Sequence, residues 1–243
     1  MNNILSLWLK NRSFKIEENG KTYHIDLLET MSEEILKNLK AIDLEWKDKT
    51  VYMDVKDRKL FILLFITLLK FESRIVLLPI EINPDEFLNS SVVYLTDNKK
   101  AGEGIFINED FSVSAGNKFS FPKKVSGNEY ATFFLYTSGS TGKAKLIPKD
   151  DSNMLTELKE LNKIFSVTES DSFYFTSPLY HIYGLLFGFL LPLYSGAHLI
   201  IDYHFTPETV VNFVSGRSVD FFISIPAYYN MFCDLGLIEN FKK

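Results

Sequence analysis

Apolar residues come in short dense blocks separated by polar and glycine-rich stretches, and the length and period of each block set its element. Residues 50–55 alternate enough to form a strand. Residues 57–69 are too long for a typical strand and apolar on every side, which predicts a buried helix. Residues 74–78, with Pro79 behind them, and residues 91–95 read as further strands. So does the apolar run 131–135. Asp150, Asp151 and Ser152 offer an N-cap for a helix whose inner face carries Met154, Leu155, Leu158, Leu161 and Phe165. A strand follows at 172–176. Next come a helix ending near Tyr194, a Ser195-Gly196 turn and a strand at 198–201. A helix opens after Pro207, and 220–225 is a buried strand. Near the N-terminus, residues 21–25 are strand-like. Thr30 and Glu33 have capping-box spacing ahead of Ile35, Leu36 and Leu39. Residues 99–128 hold several Gly, Asn and Ser and predict turns and short strands.

Strands alternating with helices predict an α/β fold with largely parallel sheets flanked by helices. A length of 243 residues suits one large or two small domains, and 46% hydrophobic against 23% charged residues is ordinary for a packed core. The net charge of −5 comes from interspersed acids and bases, which argues against a nucleic-acid face. Cys233 is the only cysteine, so no intrachain disulfide can form. It lies in an apolar helical pattern and reads as a buried structural thiol. The first residues lack the basic start and apolar core of a secretory signal, and with the single cysteine this predicts a cytoplasmic location. The apolar stretch 179–201 is long enough to span a bilayer. His181, Gly184, Pro192, Ser195, Gly196 and His198 interrupt it, so no membrane span is expected.

The candidate chemistry sits behind the strand at 131–135, in Tyr136-Thr137-Ser138-Gly139-Ser140-Thr141-Gly142-Lys143-Ala144-Lys145. Glycines let backbone N–H groups come close to a ligand, hydroxyls donate to phosphate oxygens, and lysines add positive charge. Such a loop suits a phosphate chain; the bland alternative is an exposed linker of small polar residues. Only two residues separate Gly139 from Gly142, so the common nucleotide-binding P-loop spacing is absent, and no dinucleotide fingerprint exists. His24, His198 and His204 lack partners at metal-ligand spacing and read as structural or surface residues; no metal site is expected.

These residues resemble the phosphate-loop signature of the adenylate-forming (AMP-binding) superfamily, T-S-G-[ST]-T-G-x-P-K-G. Thr137, Ser138, Gly139, Ser140, Thr141, Gly142 and Lys145 match; Ala144 replaces the usual Pro and Leu146 the usual Gly. Residues 177–185 resemble the family segment P-L-[FY]-H-x-[YF]-G-L through His181, Tyr183 and Gly184. Residues 220–227 resemble the strand ending in V-P-[TA]. Residues 61–79 resemble the upstream helix–strand unit, with Glu72 in place of a Gly. Together the matches run from about residue 51 to 231.

The resemblance implies two stacked lobes, incomplete relative to the full large domain of the family. One lobe would cover about 49–165 with the phosphate loop near the cleft between lobes. The other would cover 1–47 plus 166–243. It implies an ATP-dependent acid–thiol ligase of the acyl-CoA synthetase type. A carboxylate attacks the α-phosphate of ATP, and coenzyme A or a carrier-protein phosphopantetheine then takes the acyl group. Thr137 to Lys145 would hold the β- and γ-phosphates, with Mg²⁺ bridging phosphate oxygens. His181 would lie beside the acyl pocket, which Tyr183 and Gly184 would shape. Three roles stay open for His181: a pocket contact, a general base, or a hydrogen-bonded core histidine. Residues 180–184 resemble carrier-protein-linked members slightly more. The family's later acidic-aromatic motif, ribose-binding Asp and catalytic Lys are not found after Ile225. The chain is therefore expected to be an N-terminal portion that is inactive alone; the alternative is a truncated, non-catalytic nucleotide- or partner-binding protein. The resemblance leaves the carboxylic acid unnamed.

Overall fold

The computed structural model describes residues 2–42, 44–79, 93–98, 104–115, 132–137, 145–203 and 206–237. The chain divides into two compact units, residues 1–9 with 26–157 and residues 10–25 with 158–243. Each holds one mixed, mostly parallel sheet flanked by helices, as the strand–helix alternation predicted.

Before its sheet begins, the first unit carries α1 (Asn3–Lys10), and α2 (Ile25–Lys40) falls almost wholly within it. Its strands are β3 (Thr50–Asp54), β4 (Arg74–Leu77), β5 (Val93–Thr96), β6 (Ile105–Ile107), β7 (Val113–Ala115), β8 (Phe133–Thr137) and β9 (Lys145–Lys149); β1 (Lys15–Glu18) and β2 (Lys21–His24) belong to the other sheet. They lie in the order β7-β6-β5-β3-β4-β8-β9. The five strands from β6 to β8 are parallel, and the edge strands β7 and β9 run antiparallel to their neighbours. The central strands are buried residue after residue, as parallel strands covered on both faces should be.

Helix α3 (Arg58–Lys70) joins β3 to β4 and is buried over nearly its whole length. An all-round apolar helix gains nothing from exposing any face, so it sits under the sheet with α2 on its far side. Ser32 on α2 meets Thr67 on α3, hydroxyl to hydroxyl at 3.2 Å, and Lys70 binds Glu29 and Glu33 at 2.8 and 2.7 Å. The Asp57 carboxylate accepts from Leu60 N at 2.7 Å and caps α3. Asp97, just past β5, accepts from the backbone N–H groups of Lys56 and Asp57 at 2.9 Å each. The carboxyl ends of β3 and β5 are thereby tied together.

The second unit's sheet has the order β12-β10-β11-β1-β2. Its strands are β1 (Lys15–Glu18), β2 (Lys21–His24), β10 (Ser172–Phe175), β11 (His198–Ile201) and β12 (Phe221–Ile223). All neighbours are parallel except the β1–β2 hairpin, which turns on Asn19 and Gly20, both at positive φ. Phe173 and Phe175 sit on one face of β10. Tyr174 sits on the other, in a cluster with Ile200, Val210, Val211 and Phe232. The helices are the end of α4 (Asp151–Phe165), α5 (Ile182–Leu185), a π-helical turn (Leu186–Leu190), α6 (Leu191–Ser195), α7 (Pro207–Ser215) and α8 (Pro226–Asp234). No helix among the described residues is long and apolar enough to cross a membrane.

Three expectations need correction. Residues 1–47 do not all join the second lobe, and the division falls within α4 rather than after Phe165. Only residues 10–25 add to the second sheet, because β1 pairs with β11; α2 instead belongs with α3 through Ser32, Glu29 and Glu33. Thr30 and Glu33 are no capping box: they lie inside α2, and the Thr30 hydroxyl donates to Asp26 O at 2.9 Å. Cys233 is exposed, since it faces away from the apolar stripe through which Phe232 buries α8.

Candidate functional site

The matched loop is slung between β8 and β9. Their antiparallel ladder runs from Phe133–Lys149 to Thr137–Lys145, so Thr137 and Lys145 form the closing pair. Ser138, Gly139, Ser140, Thr141 and Gly142 lie outside the described residues. β8 is anchored on both faces. Phe133 meets Phe65 of α3 edge-on at 5.6 Å, while Phe134 joins Tyr52, Val76, Leu78 and Tyr94 in a cluster on the opposite face. Tyr136 and Leu146, paired across the ladder, extend that cluster. A strand held this firmly fixes where its loop begins. Lys145 closes the ladder opposite Thr137, and the Lys145 side chain is exposed.

The loop leaves at the carboxyl end of β8, the edge at which the parallel strands β3, β4 and β5 also end. Ligands of open α/β sheets gather at that edge. A cavity of about 620 Å³ opens on the same edge, where β5 and β3 send their connections in opposite directions. Its described lining includes Asp57, Asp97, Glu109 and Asp110. Carboxylates repel phosphate, so the lysine-bearing hairpin is the better place for a triphosphate. Next to this edge the Tyr94 hydroxyl donates to Asp54 at 2.5 Å; burial first, and then Asp54, push the Tyr94 hydroxyl well above its ordinary value. Among the described residues no cluster of three His, Cys, Asp or Glu is placed to hold a metal ion.

The second group of predicted residues forms one turn in the second unit. β10 ends at Phe175, and Thr176 shares a hydrogen bond with Ser224 beyond β12 at 2.6 Å. The chain turns at Pro178, whose carbonyl accepts from His181 N at 3.3 Å, and α5 starts at Ile182. His181 occupies the cap position in an extended conformation (φ −97°, ψ 145°), and its side chain makes no capping bond. The imidazole is exposed and lies 4.7 Å from the Tyr180 ring. This excludes a buried core role for it within the unit.

Gly184 explains how the turn is so close. A Cβ there would sit 2.0 Å from Pro178 O and 3.1 Å from Ser177 O. Only glycine lets the first turn of α5 press on that carbonyl. Gly188, one turn later, does the same against the Phe175 ring, at 2.8 Å. Gly184 thus shapes the site by the approach it permits. Tyr183 is 42% exposed and packs on Phe187, ring centres 5.1 Å apart. Tyr229 on α8 donates to Phe222 O at 2.9 Å; burial, then the nearby Tyr183, push its hydroxyl up. Ser177 Oγ is buried without a hydrogen-bond partner among the described residues. The sequence reading did not single out Phe187 or Tyr229; the spacing of four from Tyr183 to Phe187 was the available signal for the first.

Residues 70–243 match the family of AMP-binding enzymes, and the chain belongs to that family. It is similar to an oxalate–CoA ligase of Arabidopsis thaliana, 41% identical over 64 residues, which is 26% of this chain and 12% of that protein. A mitochondrial malonate–CoA ligase of Xenopus laevis is 31% identical over 99 residues, 40% of this chain and 17% of that protein. Among solved structures, the o-succinylbenzoate CoA synthetase of Bacillus subtilis superposes with a TM-score of 0.78 at 19% identity, over 97% of this chain and 51% of that one. ATP-bound MatB of Rhodopseudomonas palustris gives 0.76 at 18% identity, over 95% and 51%. The chain spans about half the length of these structures.

Proposed function

We propose that this protein works in an ATP-dependent ligase that joins a carboxylic acid to a thiol. A carboxylate oxygen of the acid attacks the α-phosphorus of ATP; the bond to the bridging oxygen breaks and pyrophosphate leaves. The thiol sulfur then attacks the acyl carbon, gives up its proton, and AMP leaves with the bonding pair. The products are a thioester, AMP and pyrophosphate. We favour coenzyme A over a carrier protein as the acceptor, because the similar proteins are named as CoA ligases. A cytoplasmic setting is part of the proposal.

One observation carries this reading: the T-S-G-S-T-G-x-x-K run bridges a closed antiparallel ladder at the carboxyl edge of a parallel sheet. The ladder fixes the two ends of the loop, at Thr137 and Lys145. Preorganised donors stabilise charge as it develops on the leaving pyrophosphate. Lys145 adds a cation at the root of the hairpin. Mg²⁺ would come with the triphosphate and take its oxygens as ligands. The exposed imidazole of His181, with Tyr183 beside it, would meet the acyl end of the substrate.

Pyrophosphate exchange by the full-length gene product tests the reading. Lys145→Ala and Thr141→Ala should each weaken the ATP-dependent step about tenfold or more, as the loss of a charge-stabilising contact does. Unchanged kinetics in both variants would detach the hairpin from the nucleotide. As an amino-terminal portion, the 243-residue chain alone is proposed to show little exchange; robust exchange by it would refute that.

A further inference from the structure

Beside its two glycines, the helix that starts as α5 and runs on through the π-helical turn carries two aromatic rings. Gly184 and Gly188 pin one face of the helix against Pro178 and Phe175. Tyr183 and Phe187, also four apart and each one residue before a glycine, share a neighbouring face of the helix. Their rings are 5.1 Å apart, and Phe187 meets Phe165 of α4 edge-on at 5.8 Å and 87°. Phe165 is 46% exposed and Tyr183 42%. Three rings linked through Phe187 thus form a ledge that starts two residues from His181. None of the three side chains carries a charge at neutral pH.

A connected run of partly exposed rings is a surface on which an apolar ligand can stack. Three side chains are far less than the roughly 800 Å² per partner that a stable protein interface buries. They match the flat face of a small molecule. A dicarboxylate laid there would lose water from its second carboxylate against three uncharged rings. A ring would stack at the 4.5–7 Å spacing, roughly, that aromatic pairs prefer.

We propose that the acid taken by this protein carries an aromatic acyl group seated on Tyr183, Phe187 and Phe165, and is not a short dicarboxylate such as those for which its relatives are named. This rests on the reading of the His181 turn as the acyl end of the site.

The test is pyrophosphate exchange by the full-length gene product with 3-phenylpropanoate, octanoate, malonate and oxalate as probes. 3-Phenylpropanoate should give the highest kcat/KM, about tenfold or more above either dicarboxylate. Phe187→Ala should raise its KM about tenfold with Tm held near that of the parent, and Phe187→Tyr should restore it. Preference for malonate or oxalate, or a KM indifferent to Phe187→Ala, would overturn the ledge and leave the ligase reading intact. Preference for octanoate would overturn the aromatic assignment. Dimerisation that Phe165→Ala abolishes would make the ledge a contact between copies and overturn the proposal. Exchange with none of the four, while the protein still binds ATP, would remove the ledge and weaken the ligase reading with it.

Discussion

The first unit holds its candidate residues in a loop between two strands; the second holds them at the start of a helix. β8 reaches its loop after packing on Phe65 below and on Tyr52, Val76 and Tyr94 above, and the ladder with β9 then closes at Thr137–Lys145. Nothing in the loop itself is needed to place its ends. At the His181 turn there is no ladder. The chain leaves β10, bends at Pro178 and enters α5, and what fixes the bend is the absence of a side chain at Gly184. Hydrogen bonding positions the first site and steric emptiness the second. A turn fixed by a missing Cβ has no room for a side chain at that glycine.

The largest effect should come from the core beneath the first site. Leu63 is fully buried in α3, and Leu63→Ala removes atoms that the closely packed helix cannot replace. The expected cost is about 2–5 kcal/mol, read from the denaturant midpoint at unchanged m-value. A cost under about 1 kcal/mol would mean that α3 is less tightly enclosed than its burial says. At Gly184 the lesion is one methyl group in the opposite sense. Alanine normally favours a helix over glycine, so destabilisation here would isolate the clash with Pro178 O. Gly184→Ala should cost about 1–3 kcal/mol, lowering Tm by roughly 2–12 °C. Gly188→Ala should cost less, because a Phe175 ring can turn aside where a carbonyl cannot. Equal Tm losses for the two would remove the distinction drawn between the sites.

The same contrast explains what the sequence disclosed. β3, α3, β4, β10 and β11 were legible because each is buried all round, so its apolar run has the length of the element itself. The hairpin β1–β2 was half missed. Lys15–Glu18 alternates inward and outward with three charged residues in four, too polar to read as a strand, although Asn19-Gly20 carried the turn signal. The division of the chain was misjudged for a different reason. The partner of α2 is α3, thirty-odd residues later, and the hydroxyl contact between Ser32 and Thr67 leaves no local trace. At the candidate sites, the motifs singled out His181, Thr137 and Lys145 from the sequence alone. The ledge stayed hidden because Phe165 and Phe187 belong to separate elements that only the fold brings together.

A smaller effect should follow loss of a cap that links distant segments. Asp150 caps α4 itself, accepting from the Ser152 hydroxyl at 2.5 Å, Asn153 N at 3.2 Å and Ser152 N at 2.7 Å, and those contacts hold its carboxyl below the usual range. Asp151, which the sequence also offered to α4, instead accepts from Asn3 N and from Ile4 N (3.0 Å) at the start of α1. Asp151→Ala should therefore cost about 1 kcal/mol and loosen α1, not α4. Hydrogen exchange should rise at the amides of residues 3–6 and stay level at 153–156. The reverse pattern would return Asp151 to its own helix.

The smallest effect concerns His198, at the other end of the second sheet from the His181 turn. Its Nε2 is buried without a hydrogen bond among the described residues, 3.6 Å from Glu17, whose carboxylate is engaged by Arg217. Burial first, and then Lys15, Arg217 and His24, hold its pKa below the ordinary 6.5, with Glu17 opposing them. The folded protein thus keeps His198 neutral at a pH where the unfolded chain takes up the proton. The stability that this neutral form contributes is present above about pH 6.5 and is lost as pH falls through it towards the lower folded value. Denaturant titrations at about pH 7.5 and about pH 5.5 should show a loss in the parent that His198→Gln reduces. Glu17→Gln should enlarge the loss, because it removes the one charge that favours the imidazolium. An identical loss in all three proteins would mean that the ring finds a partner on protonation, and that this end of the sheet is as adaptable as the turn at Gly184 is not.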